Sequence, residues 1–127
     1  MKVVERGGQA HVSPDGRLLA YGGFGEIDGA AQALIHVTTL DGEARHELPW
    51  ELALFFWQPD GDALIVNRQQ QRVGNLWRQP LDGSEPERIT RFESGFIIDA
   101  DWDPGGEWIF VTRGETTSDV VLIHDFH

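Results

Sequence analysis

The sequence predicts an all-β chain built as a partial β-propeller of about three four-stranded blades. Three observations predict it. One Pro-containing turn recurs at a fixed spacing, a second turn recurs between its copies, and the strand after each Pro turn is apolar on both sides.

Val12-Ser13-Pro14-Asp15-Gly16 precedes Leu18-Leu19-Ala20-Tyr21. Trp57-Gln58-Pro59-Asp60-Gly61 precedes Ala63-Leu64-Ile65-Val66. Trp102-Asp103-Pro104-Gly105-Gly106 precedes Trp108-Ile109-Phe110-Val111, and the prolines stand 45 residues apart each time. Proline presets φ for the first corner of a tight turn, and glycine takes the left-handed position that closes it. With hydrophobic runs on both sides, each copy reads as a β-hairpin. A repeat at this period means stacked units. The third copy departs from the pattern: Gly105 stands where the others have Asp, and Asp103 replaces Ser13 or Gln58, which is expected to loosen the turn without changing the fold.

Taken in order, residues 2–5 read as a short strand broken at Arg6-Gly7-Gly8. Residues 9–13 enter the first Pro turn and 17–22 leave it. Gly22, Gly23, Gly25 and Gly29 then read as a flexible loop. Residues 32–39 form the next strand, closed by Leu40-Asp41-Gly42, and 43–48 return as a fourth. The second unit repeats the plan: 52–58, the turn, 63–67, a polar loop from Arg68 to Arg72, 76–80, Leu81-Asp82-Gly83, and 87–90. Residues 51–57 fit a helix, but their aromatic content and the repeat register favour a strand. The third unit has 96–102, the turn, 107–113, a loop and 119–126. The blades are expected at about 9–48, 52–90 and 96–127, within a single segment covering 1–127.

Leu19, Leu64 and Ile109 are equivalent, as are Ala20, Ile65 and Phe110, and Tyr21, Val66 and Val111. A strand apolar on both sides is covered on both faces, whereas a sheet with one wet face alternates. Four-stranded sheets stacked around an axis cover both faces. Strand 2–5 sits where the outermost strand of a neighbouring blade would lie, and the last unit lacks such a strand. Three blades do not close a ring, since propellers start at about four. The chain is therefore expected to be a piece of a longer propeller, or to form a homodimer that closes a six-bladed ring. In the second case strand 2–5 of one copy would complete blade 107–126 of the other.

Composition narrows the function classes. The 127 residues carry a net charge of −11. Nucleic acid is not an expected partner, because phosphate binding needs clustered Lys and Arg. The absence of cysteine excludes disulfides, thiolate catalysis and Cys-type zinc sites. The N-terminal stretch has no apolar region of the signal-peptide kind, and no apolar run approaches membrane-span length. No membrane insertion is expected. The location is open: cytoplasmic if the chain is complete.

Catalytic signatures are weak. There is no G-x-S-x-G elbow and no Walker loop, and Gly22-Gly23-Phe24-Gly25 precedes no helix. His124 and His127 would point to opposite faces of a strand, and His11, His36 and His46 lie on three different strands. No metal and no cofactor is expected. The strongest polar constellation is Asp99, Asp101 and Asp103. Their spacing places three carboxylates on one face of a strand that would line the channel. The equivalent positions are Gln9, His11 and Ser13, and Leu54, Phe56 and Gln58. One reading is a channel site for a cation or a basic peptide, with His11 and Gln58 beside the aspartates. The other is a hydrated stripe, with Asp103 capping turn amides. Arg68 and Arg113, equivalent at the ends of second strands, form a rim pair or serve salt bridges. Trp57 and Trp102, also equivalent, are expected in the core between blades more than on a binding platform.

The Ser-Pro-Asp-Gly and Gln-Pro-Asp-Gly turns, the aromatic just before them and the Leu-Asp-Gly turn after a strand together resemble the TolB-type, WD-like propeller repeat. The resemblance covers essentially the whole chain. The last two blades are similar to the C-terminal propellers of bacterial Ser/Thr protein kinases and winged-helix regulators. The residues that carry this are 75–83, Arg113-Gly114 and 118–123. The resemblance implies a non-enzymatic interaction or sensing module of a larger bacterial signalling or regulatory protein, with a protein or peptide partner and no shared catalytic residues. The alternative is the gating propeller of a prolyl-oligopeptidase-type serine peptidase. A glycan or small-ligand propeller would need exposed aromatics at the channel mouth.

Overall fold

Each Pro turn is closed by the same backbone bond. The glycine amide donates to the first residue's carbonyl: Gly16 to Ser13, Gly61 to Gln58 and Gly106 to Asp103, at 2.9, 2.9 and 3.0 Å. The three glycines have φ of 76°, 78° and 72°, the left-handed region that a Cβ disfavours. The third turn is not loosened. In the first, Ser13 Oγ accepts from the Leu18 amide and Asp15 from the Arg17 amide. In the third, the single Asp103 carboxylate accepts from the Glu107 and Trp108 amides, both at 2.8 Å. Asp103 thus does the work that Ser13 and Asp15 share.

The computed structural model describes residues 9–115 and 119–124. Its strands are β1 (Ala10–Val12), β2 (Leu18–Ile27), β3 (Ala30–Thr39), β4 (Ala44–Pro49), β5 (Phe55–Trp57), β6 (Ala63–Gln70), β7 (Val73–Pro80), β8 (Glu87–Arg88), β9 (Phe96–Trp102), β10 (Trp108–Gly114) and β11 (Asp119–His124). They form two four-stranded antiparallel sheets, β1-β2-β3-β4 and β5-β6-β7-β8, and a three-stranded sheet of β9, β10 and β11. Each is a blade that runs in order from an inner to an outer strand. The expected strand at 2–5 lies outside the described residues, as does His127.

Two expectations about loops are corrected. The Gly22–Gly25 stretch is strand: β2 pairs continuously with β3 from Leu18↔Thr39 to Ile27↔Ala30. The turn is only Asp28-Gly29, both at positive φ, which suits a two-residue hairpin. The glycines are there to let side chains lie on the backbone. A Cβ on Gly22 would stand 2.4 Å from the Trp50 ring, and one on Gly25 would stand 2.7 Å from Leu34. The Arg68–Arg72 loop is likewise mostly strand, with its turn at Gln71-Arg72.

The middle blade is packed on both faces. Phe55, Trp57, Leu64 and Val66 bury against Ala20, Ile35, Val37 and Leu48 of the first blade. Phe56, Ile65 and Leu76 bury against Ile97, Ala100, Ile109 and Val111 of the third. Adjacent residues of β5 and β6 therefore serve opposite seams, which is the period-2 geometry of a strand. This accounts for the unbroken apolar runs in the sequence.

Trp50 ties the first seam. Its Nε1 donates to the Ala53 carbonyl at 2.8 Å, and its ring meets the Phe55 ring edge-on at 6.0 Å. Gly22→Ala drives a methyl into this indole, which two contacts hold in place. The expected cost is about 1–3 kcal/mol, the usual range for overpacking. It would be read as a lower urea midpoint with the slope of the transition unchanged.

Candidate binding surface

The polar residues of the inner strands lie on and beside β1 and on β9, since β5 is Phe55-Phe56-Trp57 and wholly buried. Gln9 stitches two blades: its Nε2 donates to the Ala53 carbonyl at 3.1 Å, and its Oε1 accepts from the Phe55 amide at 3.2 Å. His11 is half-buried, lies 3.3 Å from Gln9 Oε1, and sets its ring edge-on to Phe55 at 5.2 Å. Trp57 Nε1 donates to the His11 carbonyl at 2.8 Å.

Asp99 and Asp101 lie on one face of β9, opposite Thr112 and Phe110, and both are exposed. Each accepts a bond from the next amide along the chain, Ala100 and Trp102. Asp103 does not join them in a site. The strand ends at Trp102, and the Asp103 carboxylate is drawn into its own turn. The Trp108 amide foremost, with those of Glu107, Gly105 and Gly106, holds it below the ordinary carboxylate range.

The Asp101 carboxylate acts electrostatically on His11 although a whole blade separates them in sequence. Burial lowers the His11 pKa from 6.5, and the Asp101 carboxylate partly offsets this by attracting the proton. The folded protein therefore disfavours a proton that the unfolded chain accepts. The resulting stability is present above the unfolded pKa of about 6.5 and is lost as pH falls through the lower folded value. Asp101→Asn removes the opposing attraction, so the His11 ring is expected to titrate at still lower pH in that variant. An NMR titration of the histidine ring protons checks this, and an unmoved curve would show the two groups to be uncoupled.

Gln58 sits at the second Pro turn. Its Oε1 accepts from Arg78 Nε at 2.6 Å, and its Nε2 donates to Asp60 at 2.7 Å. These residues line a cleft of about 460 Å³ between the second and third blades, with Arg88, Ile89 and Trp102 on its walls. Reading the sequence alone missed Arg78. The signal was the hairpin register, which sets Arg78 opposite Ile65.

The two arginines serve ion pairs and aromatic contacts. Arg68 Nε lies 3.5 Å from Glu51, and its guanidinium stands 5.6 Å from the Trp77 ring centre. Arg113 pairs with Glu115 at 3.9 Å, donates to the Ser94 carbonyl, and lies 3.9 Å over the Phe92 ring. Both are largely covered, so neither stands as a free rim charge. Trp57 is buried in the first seam, and Trp102 packs against the second. Among the described residues no three His, Cys, Asp or Glu side chains are grouped to hold a metal ion. No described helix is long and apolar enough to cross a membrane.

No family model and no curated protein matches the chain. Solved structures do. TolB from Acinetobacter baumannii is 15% identical, with a TM-score of 0.71 over 98% of this chain and 31% of that one. The isopeptidase AtxE2, in a substituted variant with Astexin3-dC4 bound, is 18% identical, with a TM-score of 0.57 over 88% of this chain and 21% of that one. The chain thus spans less than a third of the length of either protein. At these identities the likeness speaks to fold, and with the stacked sheets and their two apolar seams it shows a partial β-propeller of the TolB-like kind.

Proposed function

We propose that this propeller module is non-enzymatic and binds a basic segment of a protein or peptide partner at the inner ends of its blades, through Asp101 and Asp99. The observation that carries the reading is the placement of Asp99 and Asp101, both exposed, on one face of the inner strand β9. In a propeller the inner strands line a common channel, and Asp99 and Asp101 would make the third blade's side of it acidic. A cationic side chain placed there would meet two exposed carboxylates whose hydrogen bonds, among the described residues, are to neighbouring amides, so little has to be broken for it to bind.

The test is a fluorescein-labelled tetralysine peptide titrated against the protein and followed by anisotropy. Binding that weakens with salt and falls at least about tenfold in Asp99→Asn with Asp101→Asn supports the reading; tenfold is about 1.4 kcal/mol. Asp60→Asn with Glu85→Gln changes the net charge equally and is expected to leave binding in place. Equal losses in both pairs would mean that only the overall charge of the chain is felt.

We further read the parent protein as a bacterial signalling or regulatory protein, on the resemblance carried by residues 75–83 and 118–123 to the propellers of Ser/Thr kinases and winged-helix regulators. The second reading, a gate on a peptidase, draws on the isopeptidase among the similar structures. It expects peptide hydrolysis by a longer protein that contains this chain, and none by residues 1–127 alone.

A further inference from the structure

The two seams are built from the same repeat positions. In each, the blade that comes later in sequence presents a quartet from its first two strands: Phe55, Trp57, Leu64 and Val66 in the first seam, and Ala100, Trp102, Ile109 and Val111 in the second. The earlier blade presents two positions from its own first two strands, His11 and Ala20 in the first seam and Phe56 and Ile65 in the second. Each seam thus joins a front face to a back face.

The same register marks one more face of each kind. The quartet of the first blade is Ala10, Val12, Leu19 and Tyr21, and the pair of the third blade is Asp101 and Phe110. Val12 is 55% exposed and Phe110 46%, at positions where the seams hold Trp57 at 6% and Ile65 at 1%. Tyr21 is braced by His36, stacked on it at 5.1 Å. A front face of Ala10, Val12, Leu19 and Tyr21 and a back face of Phe110 beside Asp101 are therefore displayed on one chain in the geometry that the molecule already uses twice.

We propose that a second copy of this chain covers both faces, with the back of the third blade of each copy seated on the front of the first blade of the other. Continuity with the two internal seams argues for this occupant: the contact is a third instance of an interface that these repeat positions already make. A front-to-back contact is heterologous, so it closes only if the rotation completes a ring. Two copies give six blades, within the range of about four to eight at which propellers close. Asp101 takes the place that half-buried His11 holds in the first seam, next to the axis, where its carboxylate keeps access to water. Two copies would bring two Asp101–His11 sets to one channel.

Light scattering on a sizing column, on the full 127-residue chain, reads the outcome. The expected mass is about twice 14.3 kDa. Phe110→Asp and Val12→Asp, at exposed positions on opposite faces, are each expected to shift the wild-type mass to that of the single chain with an unchanged circular dichroism spectrum. Phe24→Asp, exposed but on neither terminal face, leaves the pair intact. Mixing the Phe110→Asp and Val12→Asp proteins restores association through the one seam that both leave whole. A single-chain mass for the wild type overturns the proposal. So does an open series of larger species, or a pair that survives both the Phe110 and Val12 substitutions.

Discussion

Phe55→Ala is expected to destabilise the fold by about 3–5 kcal/mol, the range for emptying a large aromatic site in a core. Phe55 is 1% exposed and is the largest fully buried side chain among the described residues. It sits where three things meet: the His11 ring edge, the Trp50 indole and the aliphatic floor of Ile35 and Leu48. None of these can move in to fill the void. Trp50 is held by its bond to Ala53, and His11 by the Trp57 indole on its carbonyl. Domains of this size carry about 5–15 kcal/mol in all, so the variant should be partly unfolded near physiological temperature. Urea unfolding followed by tryptophan fluorescence measures the loss. A cost below about 1 kcal/mol would mean that the first seam is not packed as described.

Asn75→Ala is the second large effect, about 2–4 kcal/mol, because it strands buried groups of about 1–3 kcal/mol each. Asn75 and Thr90 are 4% and 5% exposed. Asn75 Oδ1 accepts from Thr90 Oγ1 and from the Phe92 amide, both at 2.7 Å, and its Nδ2 donates to the Phe92 carbonyl at 3.2 Å. Thr90 Oγ1 in turn accepts from the Leu76 amide at 2.9 Å. The network fastens β7 to the segment that leads into the third blade. Because its members share partners, Asn75→Ala and Thr90→Val should combine to less than their sum, with a coupling of about 0.5–3 kcal/mol. Chemical denaturation of the two single variants and the double variant gives the value, and strict additivity would show the bonds to be independent.

What was legible in the sequence was what repeats. The Pro turns, the Leu-Asp-Gly turns and the doubly apolar second strands gave the blades and their order, because a turn's chemistry is local and a strand's period is fixed. The Gly22–Gly25 stretch misled because glycine has two uses. Here it lends a flat backbone surface to Trp50 and Leu34, and which use applies depends on residues far along the chain. The Asp99-Asp101-Asp103 spacing was half informative. Alternation correctly puts the first two on one face, but Asp103 lies past the strand end, where a short acceptor side chain is taken by turn amides. Asn75 and Gln9 carried no local signal, since their partners lie far along the chain: Phe92 reaches Asn75 where the chain leaves the second blade, and Phe55 reaches Gln9 by the stacking of blades.

The central claim is that the middle blade is covered on both faces by its neighbours. Native-state hydrogen exchange tests it most directly, because the slowest amides report the best-protected strands. In the unpaired Phe110→Asp protein, the amides of β6, from Ala63 to Asn67, are expected to exchange more slowly than those of β2 and β10, which each have one neighbouring blade within the chain. Exchange in β6 that is equal to or faster than in both would contradict the stacked arrangement.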